Sequence, residues 1–198
     1  DGSQKTLRRV QLPKPDCAVR VSDCQDIDVI NTLDGFSTQP RITVPFTGDI
    51  NPASVSSQTV YLVNLGDTLT TAGAGQRVGI NQVLWDSATK TLVFESDQLL
   101  QEHSRYMLVI TDGVRDASGK KLKSGGWGED IGVAQGRDSE GTEYRRELRD
   151  ALQGQRGGPD KIVAASVFST QSATSDLAKI NRQIKQTPPT PVDFMIAQ

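Results

Sequence analysis

The chain has 198 residues, with 22 Lys and Arg against 24 Asp and Glu, a formal net charge of −2 and a pI near 5.5. Mixed charges of this kind exclude the basic footprint of a nucleic-acid-binding protein, and no apolar run nears the roughly 20 residues that a membrane-spanning helix needs. A chain this long buries roughly 70% of its unfolded surface without help from metals or dense disulfides, and its 18 Gly and 5% aromatic residues lean toward a β-rich protein with many turns.

Residues 1–4, DGSQ, lack an initiator Met and lead into a polar segment, as in a mature or trimmed chain. Residues 1–26 read as an extended N-terminal arm, because Pro13 and Pro15 fix extended backbone and no periodicity is visible. Such an arm can cover a sheet edge. Cys17 and Cys24 are too far apart for a CxxC pair, and no second pair or His cluster completes a zinc site. Two readings remain: unrelated buried thiols, or a disulfide closing a short loop, worth roughly 2–3 kcal/mol in the loop-entropy model. The polar, otherwise unanchored segment favours the disulfide, which implies an oxidising compartment and an exported protein.

Order begins near Gly35. Ile42, Val44 and Phe46 alternate as in a half-buried strand, and Pro45 makes it an edge or bulged one. Asn51 is placed to cap a single helical turn opened by Pro52. TVYLVNL (59–65) is apolar on both faces and predicts a central strand. GAGQRVG (73–79) lacks the P-loop pattern and has no helix after it, so a polar hairpin is the better reading. Residues 81–96 predict a hairpin with Trp85, Leu92 and Phe94 in the core, and RYMLVIT (105–111) is the strongest strand signal. Six short strands at roughly ten-residue spacing between 36 and 122 argue for an antiparallel sandwich.

The pattern changes at 123, where a Gly-rich stretch leads to a helix with Tyr144, Leu148, Ala151 and Leu152 on one face, Thr142 as its cap and Gly154 past its end. A strand over 161–169 follows. Ala173, Leu177, Ile180 and Ile184 then define an amphipathic helix capped by Ser172, and TPPTP (187–191) ends it as a stiff linker. VDFMIAQ, abrupt and apolar, reads as if another domain should follow.

Taken together, RITVPFTGDINPASVSSQTVYLV, DSATKTLVF and LLQEHSRYMLVITDGVRDASGKKL resemble the bacterial Ig-like domain of the S-layer type. The spacing of Leu99 and Leu100 before Tyr106 is similar to the tyrosine corner of Ig-like sandwiches. The wider arrangement, from NTLDGFSTQPRITVPF to VAASVFSTQSATSDLAKI, is similar to the N-terminal region of secreted bacterial virulence-factor-type lipases, which are α/β-hydrolases. That resemblance implies an exported accessory domain placed before a hydrolase domain.

Direct chemistry is sparse. Ser166, Ser169 and Ser172 lie where a strand runs into a helix, yet no flanking glycines and no G-x-S-x-G make a nucleophile elbow. The single histidine, His103, falls in a turn between strands and reads as solvated. Glu129, Asp130, Asp138 and Glu140 read as a solvated acidic loop, and Asp112 and Asp116 as turn-forming residues rather than calcium ligands. Trp127, held among glycines, is a candidate surface contact for sugar or protein, and Tyr144 a second; core packing is the competing reading for both.

The resulting expectation is a mainly β, Ig-like antiparallel β-sandwich over residues 27–170. It has a Gly-rich and helical insert at about 123–160 and a connecting helix with a Pro-rich linker over 171–198. No catalytic, metal or cofactor residues are expected, and the chain itself is not an enzyme. The expected role is an exported accessory or spacer domain whose partner is a downstream hydrolase domain of the same polypeptide. The alternative is a carbohydrate- or cell-surface-binding, adhesin-like module whose partner is a surface glycan or protein.

Overall fold

The computed structural model describes residues 6, 8–123, 139–155 and 161–187. Among the described residues alternation in the sequence becomes seven strands: β1 (Arg41–Pro45), β2 (Val60–Asp67), β3 (Arg77–Val78), β4 (Ile80–Asp86), β5 (Thr91–Ser96), β6 (Ser104–Thr111) and β7 (Ile162–Ser169). They form a three-stranded sheet in the order β1-β5-β4 and a four-stranded sheet in the order β3-β2-β6-β7. Among the described residues these strands pair antiparallel throughout. The chain is an Ig-like β-sandwich.

The main core lies between the sheets. Leu62, Leu92, Phe94, Tyr106, Leu108 and Ile110 meet there, all essentially buried. Trp85 packs only partly against this core and stacks edge-on with Phe46. Pro45 ends an edge strand, where its missing N–H breaks no ladder bond. Asn51 caps the 3₁₀ turn Pro52–Ser54, its side-chain oxygen accepting the Ala53 N–H.

The larger sheet is buried on its second face as well, which is why β2 and β6 are apolar on both sides. Met107, Val109, Ala165 and Val167 pack beneath Leu148, Ala151 and Leu152 of helix α2 (Ser139–Gln153). Helix α1 (Val21–Ile30) precedes the sandwich and helix α3 (Ser175–Gln186) follows it.

Three local expectations differ from the structure. Residues 1–26 were expected to be an extended arm, but α1 begins at Val21. Cys17 and Cys24 are disulfide-bonded across its start, and Asn31 past its end clamps Leu12 through Oδ1 (2.7 Å) and Nδ2 (3.2 Å). Those ties, rather than an apolar stripe, hold the helix. Thr142 lies inside α2, which starts at Ser139. Ser172 does not cap α3: the helix begins at Ser175 without a side-chain cap, and the Ser172 N–H is taken by the Asp34 carboxylate at 2.9 Å.

Candidate functional site

Polar groups inside an apolar sandwich must find partners or cost stability, so the buried polar set marks the points the fold fixes most tightly. Tyr106 stands at the corner where the chain enters β6. Its hydroxyl accepts the Gln101 N–H at 3.0 Å and the Asn64 side-chain amide at 3.2 Å. This is the tyrosine corner suggested by the spacing after Leu100. Burial raises the pKa of the phenol, although the Gln101 amide pulls the other way. Thr170, fully buried at the end of β7, ties the same corner to the last strand. Its Oγ1 accepts the Ser104 N–H at 3.0 Å and donates to the Gln101 carbonyl at 2.6 Å.

His103 is not simply solvated. Its Nδ1 contacts the Asp67 carboxylate, which also accepts the Leu69 and Thr70 N–H groups at 2.8 Å each. Burial raises the Asp67 carboxyl, but the Leu69 and Thr70 amides and the His103 ring more than offset it, leaving it below the usual carboxylate range. Asp67 and His103 are 36 residues apart in the chain, so no local motif announces the pair. Among the described residues no hydroxyl or thiol bonds to His103.

The serines of the strand-to-helix stretch are scattered. Ser166 Oγ meets the Tyr144 hydroxyl at 3.0 Å, joining β7 to α2. The Ser169 carbonyl accepts the Phe36 N–H, and Ser172 is buried beside Asp34. Tyr144 is 40% exposed, so it combines a packing contact with an open ring edge. Trp127, Glu129, Asp130 and Asp138 lie outside the described residues, as does the side chain of Glu140.

Asp116 is a turn residue, its Oδ1 accepting the Ser118 and Lys120 N–H groups at 2.8 and 2.9 Å. Asp112 binds Lys121, which holds its carboxyl low, and also accepts the Lys161 N–H. Among the described residues no three His, Cys, Asp or Glu side chains converge as a metal site requires.

Two surfaces stand out instead. A groove of about 770 Å³ runs between β1 and β7, with Ile42, Val44, Leu108, Ala164 and Phe168 among its apolar lining and Arg8, Arg9 and Arg41 at its rim. Helix α3 exposes Leu177 (67%), Ile180 (51%) and Ile184 (68%). The sequence predicts this amphipathic face, whereas the groove, which depends on two strands 120 residues apart meeting, has no local signature.

Residues 26–127 match the family model described as a bacterial Ig-like domain. Among solved structures, the chain is similar to domains 1-6 of the surface layer protein SbsC at 16% identity and a TM-score of 0.34, over 53% of this chain and 15% of that one. It is also similar to the N-terminal part of the bacterial S-layer protein SbsC at 18% identity and a TM-score of 0.32, over 52% of this chain and 25% of that one. The chain thus spans a quarter or less of the length of these structures. No curated protein matches it.

Proposed function

The chain belongs to the bacterial Ig-like domain family, and from that premise we propose that it is a non-catalytic accessory or spacer module of an exported multidomain protein, preceding a lipase- or esterase-type hydrolase domain. The observation that carries this reading is α3. It follows β7 after a five-residue turn, is exposed from Asp176 to Gln186, and presents Leu177, Ile180 and Ile184 to solvent. An apolar stripe on a helix between a finished core and a Pro-rich run suits a connector that packs on the next domain.

The disposition of the polar groups supports the non-catalytic part. The His103 Nδ1 is committed to Asp67, and Ser166 to Tyr144; a serine nucleophile needs its base within hydrogen-bond reach. The disulfide between Cys17 and Cys24 supports an oxidising, exported setting. The hydrolase link rests on the likeness of VAASVFSTQSATSDLAKI and its approach to the corresponding region of virulence-factor-type lipases.

The test is to sequence the reading frame beyond Gln198 and to assay the whole polypeptide with and without residues 27–170. A downstream G-x-S-x-G and ester turnover that survives removal of the module are expected. A downstream region without a nucleophile elbow would overturn the hydrolase link.

A further inference from the structure

Elements joined through a short surface connection move relative to one another by default, unless the contacts at the joint are extensive. Residues 170–174, between β7 and α3, are held on two sides. Thr170 donates its N–H to the Ser104 carbonyl at 2.9 Å, and Gln171 to the Phe36 carbonyl at 2.8 Å. Ser172 donates to the Asp34 carboxylate at 2.9 Å and Thr174 to the Glu102 carboxylate at 3.2 Å. The Thr174 hydroxyl donates to the same Glu102 carboxylate at 3.0 Å. Ionised acceptors make hydrogen bonds shorter and stronger than neutral ones, and both carboxylates fall on the last residues before the helix.

Each carboxylate is itself placed by an unusual local feature. Gly35 lets residues 34–36 lie against the connection, since a Cβ there would fall 2.5 Å from the Thr170 carbonyl carbon and 2.6 Å from the Gln171 nitrogen. Glu102 precedes His103, whose φ of 38° lies in the left-handed region. A non-glycine residue persists there only where its surroundings over-determine it, and those of His103 do. Its ring contacts the Asp67 carboxylate, its N–H donates to the Gln171 carbonyl at 3.3 Å, and its carbonyl accepts the Thr68 N–H at 2.8 Å. The Asp67–His103 pair, with no nucleophile beside it among the described residues, therefore braces the turn that aims Glu102 at Thr174.

Beyond this root, α3 is exposed from Asp176 to Gln186. Its direction is thus decided where it starts. The helix has 12 residues and is about 18 Å long. A swing of about 30° at its root would move the far end by about 9 Å, enough to displace anything packed on the apolar stripe.

We propose that Glu102, backed by Asp34, locks α3 to the sandwich as a rigid arm. A domain packed on Leu177, Ile180 and Ile184 is then held at a set angle to this module. The lock belongs to this chain alone, whereas the angle imposed on a neighbour rests on the connector reading of α3.

Residual dipolar couplings of the 198-residue chain test the lock, and they need no further domain, so the absence of a hydrolase would leave the result untouched. An alignment frame is fitted to the amides of β2, β5 and β6, and the order parameter of the α3 amides is obtained in that frame. In the parent chain it should equal that of the sandwich, about 0.85 for rigid backbone. In Glu102→Ala it should fall below about 0.6, the flexible range, while the sandwich couplings and the helical Cα shifts of α3 stay unchanged. Lys179→Ala, which breaks only a pair with Asp176 inside the helix, should keep the parent value. A parent chain whose α3 is less ordered than its sandwich would overturn the proposal. So would a Glu102→Ala variant that keeps the parent value, or one in which α3 loses its helical shifts, since Glu102 would then serve as a helix cap and not as a joint.

Discussion

Replacing Tyr106 with Phe removes one oxygen from the corner on which the sandwich turns. Tyr106 is 1% exposed, so water cannot replace that oxygen without opening the core. The Asn64 side-chain amide keeps a second partner, Gln101 Oε1 at 3.1 Å, and loses little. Among the described residues the Gln101 N–H has no other acceptor, so it is left unsatisfied in a part-buried position. One such orphaned donor costs about 1–3 kcal/mol. Taking about 2 kcal/mol and a urea m-value of about 2 kcal/mol/M, the midpoint falls by about 1 M with m unchanged. For a domain of this size the same loss lowers Tm by about 4–8 °C. Because Asn64 shares the hydroxyl, Asn64→Ala and Tyr106→Phe should be non-additive in a double-mutant cycle, by about 0.5 kcal/mol or more. A Tyr106→Phe variant whose midpoint moves by less than about 0.2 M (under 0.5 kcal/mol at that m-value) would refute the view that this bond fixes the corner.

Gly35→Ala should destabilise by about 1–3 kcal/mol, the cost of overpacking against atoms that cannot yield, because the new Cβ would meet the Thr170 and Gln171 backbone at 2.5–2.6 Å. Urea denaturation reads this directly, and a variant as stable as the parent would show that residues 34–36 are not docked on β7. For Asp67→Asn the pH dependence is the informative quantity. The Asp67 pKa is depressed in the folded state, so its stabilisation is present above the unfolded value of about 3.9 and is lost as pH falls through the folded value. The stability gap between wild type and Asp67→Asn should therefore be widest above about pH 5 and close below about pH 4. A gap that stays constant down to acid pH would contradict the assignment.

Much of the sandwich is legible in the sequence because its signals are local. Ile42, Val44 and Phe46 carry the alternation of β1; Leu92 and Phe94 mark the inner face of β5; Tyr106 follows Leu100 at the distance a corner needs. The double burial of β2 is also visible, since TVYLVNL (59–65) is apolar on both faces. What escapes is set by distance. The groove depends on β1 meeting β7, and the Asp67–His103 pair on two loops converging. Helix α1 escapes for a different reason: its apolar residues form no stripe, and it is held by a disulfide and by the Asn31 clamp on Leu12. Ser172 and Thr142 show that a good capping residue near a helix start does not fix the start. Asp34 recruits the Ser172 N–H, and α2 gains an extra turn before Thr142.

The central claim, that this module does no chemistry of its own, is tested most directly by ester turnover. The purified 198-residue chain and its Ser166→Ala, Ser169→Ala and His103→Ala variants are each mixed with a short nitrophenyl ester, and nitrophenolate release is followed against a buffer blank. The account predicts that the parent chain releases nitrophenolate no faster than the three variants, all at the blank rate. Saturable turnover by the parent chain that is abolished by Ser166→Ala or Ser169→Ala together with His103→Ala would contradict it.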